Sequence, residues 1–471
     1  MGEAANIALN AIGMQDTHLL SKDPKDSLFK YDYKRHSQYT KNYVIRNVYN
    51  ESNDILDDVT MKVEYNPQNM GHLLGNFWIK IPVTPRAGES FITNDRTYSS
   101  VSEYLFLDGL GFNLIHSVNM YVDEILVETI TNDWIAINHS LYASRTQQVA
   151  NNLSMGAGNS IISTESNFPS FLDQLQSSSD IMVHIPFFFS QVLNDADADN
   201  KGRRPLFPVC AVHKQKIIFE IRFQPKSFWK IRFDSPIIDT VHEFQIITEE
   251  YIIPGEELIF FRNNNWRQTV VLTTKENSKE TDTLSQDEIK QKLSPRGAVK
   301  TIHWFVRRSI HENLDRSILN ENLLRSYRHE TGLVPEDVNS RTHNIFSDAH
   351  LIKKSRLYMK GQSYPLIRNN ESQLHHVLQA HKHKLNIQQN RIHVLTQSFS
   401  LFPKKYQSTG YFNFSSILSD NTTLQVEINR DKNINGEYYD PFAGRTLYVL
   451  HIYYTSYFTL HFDGGFLLKI E

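Results

Sequence analysis

Apolar and polar residues alternate one by one along several short stretches of this chain. Leu424, Val426 and Ile428 point one way while Gln425, Glu427 and Asn429 point the other. Phe219, Ile221 and Phe223 alternate with Glu220 and Arg222, and Met61, Val63 and Tyr65 with Lys62 and Glu64. A period of two with one polar face predicts antiparallel sheets covered on one side. Long amphipathic helical runs are scarce. The best helical candidates are short, residues 286–292 and 320–328. The expected class is therefore all-β.

The two halves repeat one plan. Leu114-Ile115 leads into a strand at 118–122, a turn at Asp123-Glu124 and a strand at 125–128. Leu351-Ile352 leads into 355–359, a turn at Lys360-Gly361 and 362–366. Each half then has an aromatic strand and a cleanly alternating one: 186–189 and 217–223, then 399–403 and 423–428. This order predicts a tandem pair of similar β-sandwiches. One large irregular domain is the weaker reading, because a single core stops growing near this length. The boundary falls near Pro254-Gly255 and Asn263-Asn264-Asn265. A strand at 244–253 closes the first half, and one at 268–273 opens the second. The division expected is an arm at 1–27, a first sandwich at 28–253, a linker at 254–265 and a second sandwich at 266–471. Long polar segments at 147–180, 275–297 and 326–348 separate strands. Loops of that length point to function or to disorder.

Composition narrows the function. The 471 residues suit two sandwich domains of the common ~200–250-residue size. The aromatic content, led by Phe and Tyr, favours strands. A net charge of −3 without a basic stripe argues against a direct nucleic-acid binder. Cys210 is the single cysteine, so no internal disulfide can form, which suits a reducing compartment such as the cytosol. The N-terminus does not read as a signal peptide: its first charge is Glu3, and Asn6 and Asn10 interrupt the apolar run. Asn6 also stands where a myristoylation motif prefers Ser or Thr. No apolar run reaches the ~18 residues of a membrane span.

Candidate chemistry is thin. Asp195-x-Asp197-x-Asp199 offers oxygen ligands at alternate positions, as a calcium loop does. The sixth and twelfth positions are Asn200 and Leu206, where that loop needs Gly and Glu, so it reads as a solvated acidic tip. His375, His376, His381 and His383 cluster, and His381-x-His383 starts a cupin-like metal motif. Residues 384–387 supply no acid, so the cluster reads as the polar surface of an exposed strand, with pH sensing as a second use. The stretch 156–160 is glycine-rich but lacks the Gly-Lys-Ser/Thr ending of a phosphate loop. Lys201-Gly202-Arg203-Arg204 is too short for a nucleic-acid patch, and Cys210 sits among Val209, Ala211 and Val212 like a core residue. Asn413 and Asn421 lie in glycosylation sequons. No catalytic residue, metal site or cofactor is expected.

The densest motif lies at the start. Ile12-Gly13-Met14-Gln15-Asp16 is followed by Ser21-Lys22-Asp23-Pro24 and Phe29-Lys30-Tyr31-Asp32-Tyr33-Lys34-Arg35-His36. Asn132-Asp133-Trp134 follows the first strand pair, and Ile185-Pro186-Phe187-Phe188-Phe189 precedes Pro205-Leu206-Phe207-Pro208-Val209. The stretch 399–403 precedes Asn413-Phe414-Ser415, and 448–454 precedes Gly464-Gly465-Phe466. In this order the segments resemble the double jelly-roll major capsid proteins of large icosahedral, nucleocytoplasmic DNA viruses, of the chlorella-virus and mimivirus type. The turn departs from the family's Thr-Gly-Asn-Pro, with Ser21-Lys22-Asp23 before the proline.

The resemblance implies two eight-stranded jelly rolls and a homotrimeric, hexagon-shaped capsomer that tiles a virion shell assembled in the host cytoplasm. It implies contacts with neighbouring capsomers, minor capsid proteins and the inner viral membrane, and no enzymatic activity. The arm would lie beneath the barrels, with Ile12, Gly13, Gln15 and Asp16 as its family motif. An apolar segment that cannot fold alone needs such a partner surface. Two other readings stay open: a minor capsid or membrane-shaping protein of the same lineage, and a sandwich-fold enzyme or lectin.

Overall fold

The structure, a computed structural model, describes residues 37–470 outside 51–53, 56–57, 66–70, 83–110, 112–113, 156–179, 192–204, 225–240, 284–285, 296, 310–327, 331–345, 351, 360–361, 365–373, 386–393, 415–421 and 429–446. In the first half β1 (Thr40–Tyr49), β2 (Thr60–Tyr65), β3 (Leu73–Pro82), β4 (Ile115–Val122) and β5 (Ile125–Thr131) come first. Helices α1 (Asn132–Leu141) and α2 (Arg145–Met155) then precede β6 (Asp180–His184), β7 (Ile217–Phe223) and β8 (Glu243–Ile252). All their strand pairings are antiparallel, in the orders β1-β8-β3-β6 and β2-β7-β4-β5.

Helix α3 (Gly255–Asn263) occupies the stretch expected as a linker. Glu256 and Glu257 in its first turn and Arg262 in its last complement the helix dipole. The second half contains β9 (Trp266–Lys275), β10 (Lys279–Glu280), β11 (Glu288–Lys292), β12 (Ala298–Arg308), β13 (Arg328–Glu330), β14 (Phe346–His350), β15 (Ile352–Met359) and β16 (Gln362–Tyr364). Helix α4 (Gln379–His383), β17 (Leu395–Ser398), β18 (Phe412–Asn413), β19 (Thr423–Ile428), β20 (Tyr448–Asp463) and β21 (Phe466–Ile470) complete it. Its two large sheets run β9-β20-β12-β17 and β11-β19-β15-β16. Matched strand for strand, these are the two orders of the first half. Each half is an eight-stranded jelly roll; in the second, β10, β18 and β21 are added along one sheet and β13 and β14 form a separate two-stranded sheet.

The alternation read in the sequence is what fills the cores. Phe219, Ile221 and Phe223 of β7 face Phe77 and Ile79 of β3 across the first sandwich, with the Phe77 and Phe219 rings 4.6 Å apart. Leu424, Val426 and Ile428 of β19 meet Ile302, Trp304 and Val306 of β12 in the second. The turn between β4 and β5 holds Asp123 at φ 50°, and its side chain accepts from the Lys216 backbone N–H at 2.8 Å. The β20–β21 turn uses Gly464 and Gly465, both at positive φ. At Gly465, φ 99°, a side chain would be strained, and a Cβ would also sit 2.7 Å from the His213 ring.

Several expectations are corrected. Residues 286–292 are not helical: β11 pairs with β19, placing Ile289 opposite Val426. One inward apolar residue among charged neighbours is enough for an edge strand and too little for a helix stripe. Of 320–328, only Arg328 is described, and it begins β13. Residues 186–189 are a turn following β6, not a strand. Phe187, Phe188 and Phe189 are all buried, which a strand with alternating faces cannot do on a one-sided sheet. Residues 399–403 likewise bend away after β17, leaving Leu401 and Phe402 exposed. Of the long polar segments, 147–180 begins inside α2, 275–297 carries β10 and β11, and 326–348 carries β13 and part of β14. Among the described residues no helix is long and apolar enough to cross a membrane.

The register generates a test. Val426 is fully buried, so Val426→Asp places an unpaired charge in the second core at a cost of several kcal/mol. Glu427 faces outward beside Lys353 and Lys354, so Glu427→Gln should change stability by no more than about 1 kcal/mol. Soluble yield should collapse for the first variant only; equal tolerance of both would contradict the register.

Candidate functional site

The chemistry of this chain is concentrated where the two jelly rolls meet. Strand β12 is buried on both faces. Ile302, Trp304 and Val306 fill the second core, while Thr301, His303, Phe305 and Arg307 face α1 and the segment after it. Thr131 caps α1 by accepting from the Trp134 N–H, and that places Asp133 and Trp134 against the second sandwich. Arg307 Nη2 donates to Asp133 Oδ1 at 2.6 Å, with both side chains almost fully buried. Trp134 stacks on Tyr453 of β20, ring centroids 6.0 Å apart, and packs on His303 at 5.7 Å.

Hydrogen bonds extend the joint. The Tyr453 hydroxyl lies 2.9 Å from the Thr131 hydroxyl. Tyr142 OH and His303 Nε2 are 2.9 Å apart, and His303 Nδ1 is 2.9 Å from the Thr396 hydroxyl. Thr301 and Thr455 share a hydrogen bond at 2.5 Å. Burial pushes the His303 imidazole down to about 3, so it stays neutral in the network. Tyr406 also donates to the Gln191 carbonyl across the halves.

Glu128 is the second buried anchor. Its carboxyl group, in the middle of β5, accepts from the Phe188 N–H at 2.9 Å and from the Thr273 N–H of β9 at 3.0 Å. A first-sandwich side chain thus satisfies a backbone donor on a second-sandwich strand. Burial raises its pKa to about 8, outweighing the two N–H donors and nearby Lys469, which favour the anion.

A small cavity of about 190 Å³ opens between α1, α2 and the β3–β6 edge, lined by Trp78, His139, Asn151 and His184 among others. No carboxylate is among its described lining residues.

Ile12, Gly13, Gln15 and Asp16 lie outside the described residues, as do Asp195, Asp197 and Asp199, residues 156–160 and residues 201–204. The histidine cluster is corrected. His375, His376, His381 and His383 sit on one helical stretch, a π turn at Leu374–Leu378 running into α4. His375 is buried 4.9 Å from the Trp304 ring centroid, and burial lowers it to about 4. Among the described residues no three His, Cys, Asp or Glu side chains converge as a metal would require. Cys210 lies on a 3₁₀ turn, where burial pushes its thiol up to about 11, so it is a poor nucleophile. Asn413 ends β18, and Asn421 is not described. The residues of the joint, Glu128, Asp133, His303 and Arg307, were not recognisable as a group. The available signal was the polar and charged run inside β12, whose strand neighbours are otherwise apolar.

Two jelly rolls of one strand order, rigidly joined through buried polar contacts in a single chain, define the class: a double jelly-roll protein. Residues 27–252, just under half of the chain, match the family model described as the major capsid protein N-terminus. Known structures share the fold along nearly the full length. The PBCV-1 virus capsid subunit superposes with a TM-score of 0.68 at 15% identity, covering 94% of this chain and 100% of that one. The Faustovirus major capsid protein gives 0.59 at 9%, covering 96% and 94%. The subunit in the Sputnik virophage structure gives 0.51 at 8%, covering 96% and 92%. No curated protein matches the sequence. The first half of the chain is thus similar in sequence to the major capsid protein N-terminus, and the whole chain shares the double jelly-roll fold of these capsid subunits.

Two tests follow from the joint. Asp133→Ala strands the buried Arg307 guanidinium and should destabilise the protein by about 3–5 kcal/mol in urea titration, whereas Asp133→Leu with Arg307→Met should recover most of that loss. Because the native Glu128 carboxyl titrates above its unfolded value, its stabilising contribution is complete below the ordinary carboxyl range near 4.5. That contribution is lost as pH rises through about 8. Melting temperature should fall over that window in the wild type and fall less in Glu128→Gln; identical slopes would refute the assignment.

Proposed function

We propose that this protein is the main shell-building subunit of a large icosahedral DNA virus, acting as a homotrimer of hexagonal outline that tiles the virion surface. The carrying observation is the buried joint, which locks two jelly rolls of one topology into a single block. Three such blocks around a threefold axis give six barrels, and cyclic closure leaves no subunit face unpaired within the ring. The role is structural rather than enzymatic. Assembly takes place in the host cytoplasm, against neighbouring capsomers, minor capsid proteins and the inner viral membrane.

The division of the chain follows the same reading: an arm at 1–27, jelly rolls at 28–253 and 266–471, and a linker at 254–265. Ile12, Gly13, Gln15 and Asp16 carry the arm's contacts beneath the shell. The support is the density of the family motif there, together with apolar residues that need a partner surface.

Light scattering on soluble protein should give the mass of three chains, and a clean monomer at micromolar concentration would overturn the trimer. Deleting residues 1–22 should leave the trimer and its melting temperature intact while reducing incorporation into particles in infected cells. Normal incorporation would remove the arm from assembly.

A further inference from the structure

The cavity of about 190 Å³ between α1, α2 and the β3–β6 edge carries polar chemistry that neither the joint nor the shell-building role uses. By liquid volume it has room for about six waters, the space of one six-membered sugar ring. Its floor is aromatic. Phe77, Ile79, Ile181 and Val183 face the first core, so Trp78 and His184 project from the other face of the same sheet. The two are partners across β3 and β6, with rings 5.7 Å apart. Ser190 orients the imidazole: its hydroxyl accepts from the Phe77 N–H at 3.0 Å, which turns its own proton toward His184 Nε2 at 2.9 Å. On the side of Trp78 away from β6 stands Tyr43 of β1, ring centroids 6.2 Å apart, at 55% exposure. Trp78 is thus the inner end of an aromatic strip that leads out of the cavity.

The walls on α1 and α2 are amides. Asn138 makes no side-chain hydrogen bond among the described residues. Gln147 engages its side-chain oxygen with the Ser144 N–H at 2.7 Å, and its NH2 has no partner among the described residues. Asn151 turns its NH2 to His139 Nδ1 at 3.5 Å, and its side-chain oxygen accepts from none of the described residues. No carboxylate, lysine or arginine is among the described lining residues, so an ion entering here would meet no counter-charge. The lining suits a neutral molecule with one apolar face and several hydroxyls. A pyranose has both: its C–H face packs on an indole, and its hydroxyls donate and accept, as amides do.

We infer that this cavity binds the terminal neutral sugar of a glycan, with Trp78 under the C–H face of the ring and Asn138, Gln147 and Asn151 on its hydroxyls. The next sugar outward rests on Tyr43, because the aromatic strip continues beyond the space that one ring fills. The site does not depend on the trimer or on the N-terminal arm.

The test is saturation-transfer NMR on the full chain. The probes are methyl glycosides of neutral hexoses and N-acetylhexosamines, disaccharides that end in the same sugars, and methyl glucuronide. Saturation should reach the ring C–H protons of a neutral methyl glycoside, and the disaccharide ending in that sugar should bind more tightly. Asn138→Ala with Asn151→Ala should weaken both by about tenfold while keeping a cooperative melt. Tyr43→Ala should remove the gain from the second sugar and leave the methyl glycoside unchanged. No transfer to any neutral sugar, or unchanged binding by the double-alanine protein, would overturn the site. Glucuronide bound as tightly as its neutral counterpart would overturn the neutral class. A methyl glycoside that binds with no gain from a second sugar would overturn the glycan and leave a free sugar as the ligand.

Discussion

The two halves are held at one fixed angle because charges are buried between them. Arg307 and Asp133 leave water together, and each is tolerable there only while the other is within hydrogen-bonding distance. Any sliding of α1 over β12 would leave an ion alone in a low-dielectric interior. Glu128 adds a similar constraint, since both its oxygens are engaged by backbone N–H groups, one from each half. An apolar contact of the same area would tolerate small shifts; this one does not. Residues Thr40–Glu471 therefore behave as a single compact unit rather than as two beads on a string.

That rigidity is what the proposed shell-building role would need. Two separate jelly rolls on a flexible tether would not define a tile, because the edges of a tile must keep their directions. Helix α3 and Trp266 reinforce the connection: Trp266 donates to the Phe261 carbonyl at 3.3 Å and stacks on Phe462 with ring centroids 4.4 Å apart. The covered β9 and the exposed β1 show that the two halves, alike in strand order, are not alike in environment. One is covered by the other half of its own chain, and the other carries exposed Tyr43, Ile45 and Tyr49.

Histidine behaviour illustrates how environment overrides composition. A cluster of four imidazoles suggests metal or pH chemistry on the page. In the fold, His375 is buried against Trp304, and His303, far away in sequence, is the one drawn into a hydrogen-bond network. Burial keeps both neutral.

Strand identity and inward register were legible because alternation is a local signal: β4, β5, β7, β15 and β19 fall where the pattern of residues placed them. The doubling of the plan was legible too, since each half carries the same order of segments. Segments with consecutive aromatics misled, because Phe187, Phe188 and Phe189 bury all three rings only by leaving the strand geometry. Residues 286–292 misled because short charged stretches have no period long enough to separate helix from edge strand. The joint was not legible as a group of residues. Asp133 and Arg307 are 174 residues apart, and a charged residue in a sequence looks solvated until a partner is brought to it. The alternation of side chains is decided by neighbours along the chain and so belongs to the sequence. Which charges are buried together is decided by packing between sheets, and only the tertiary structure sets that.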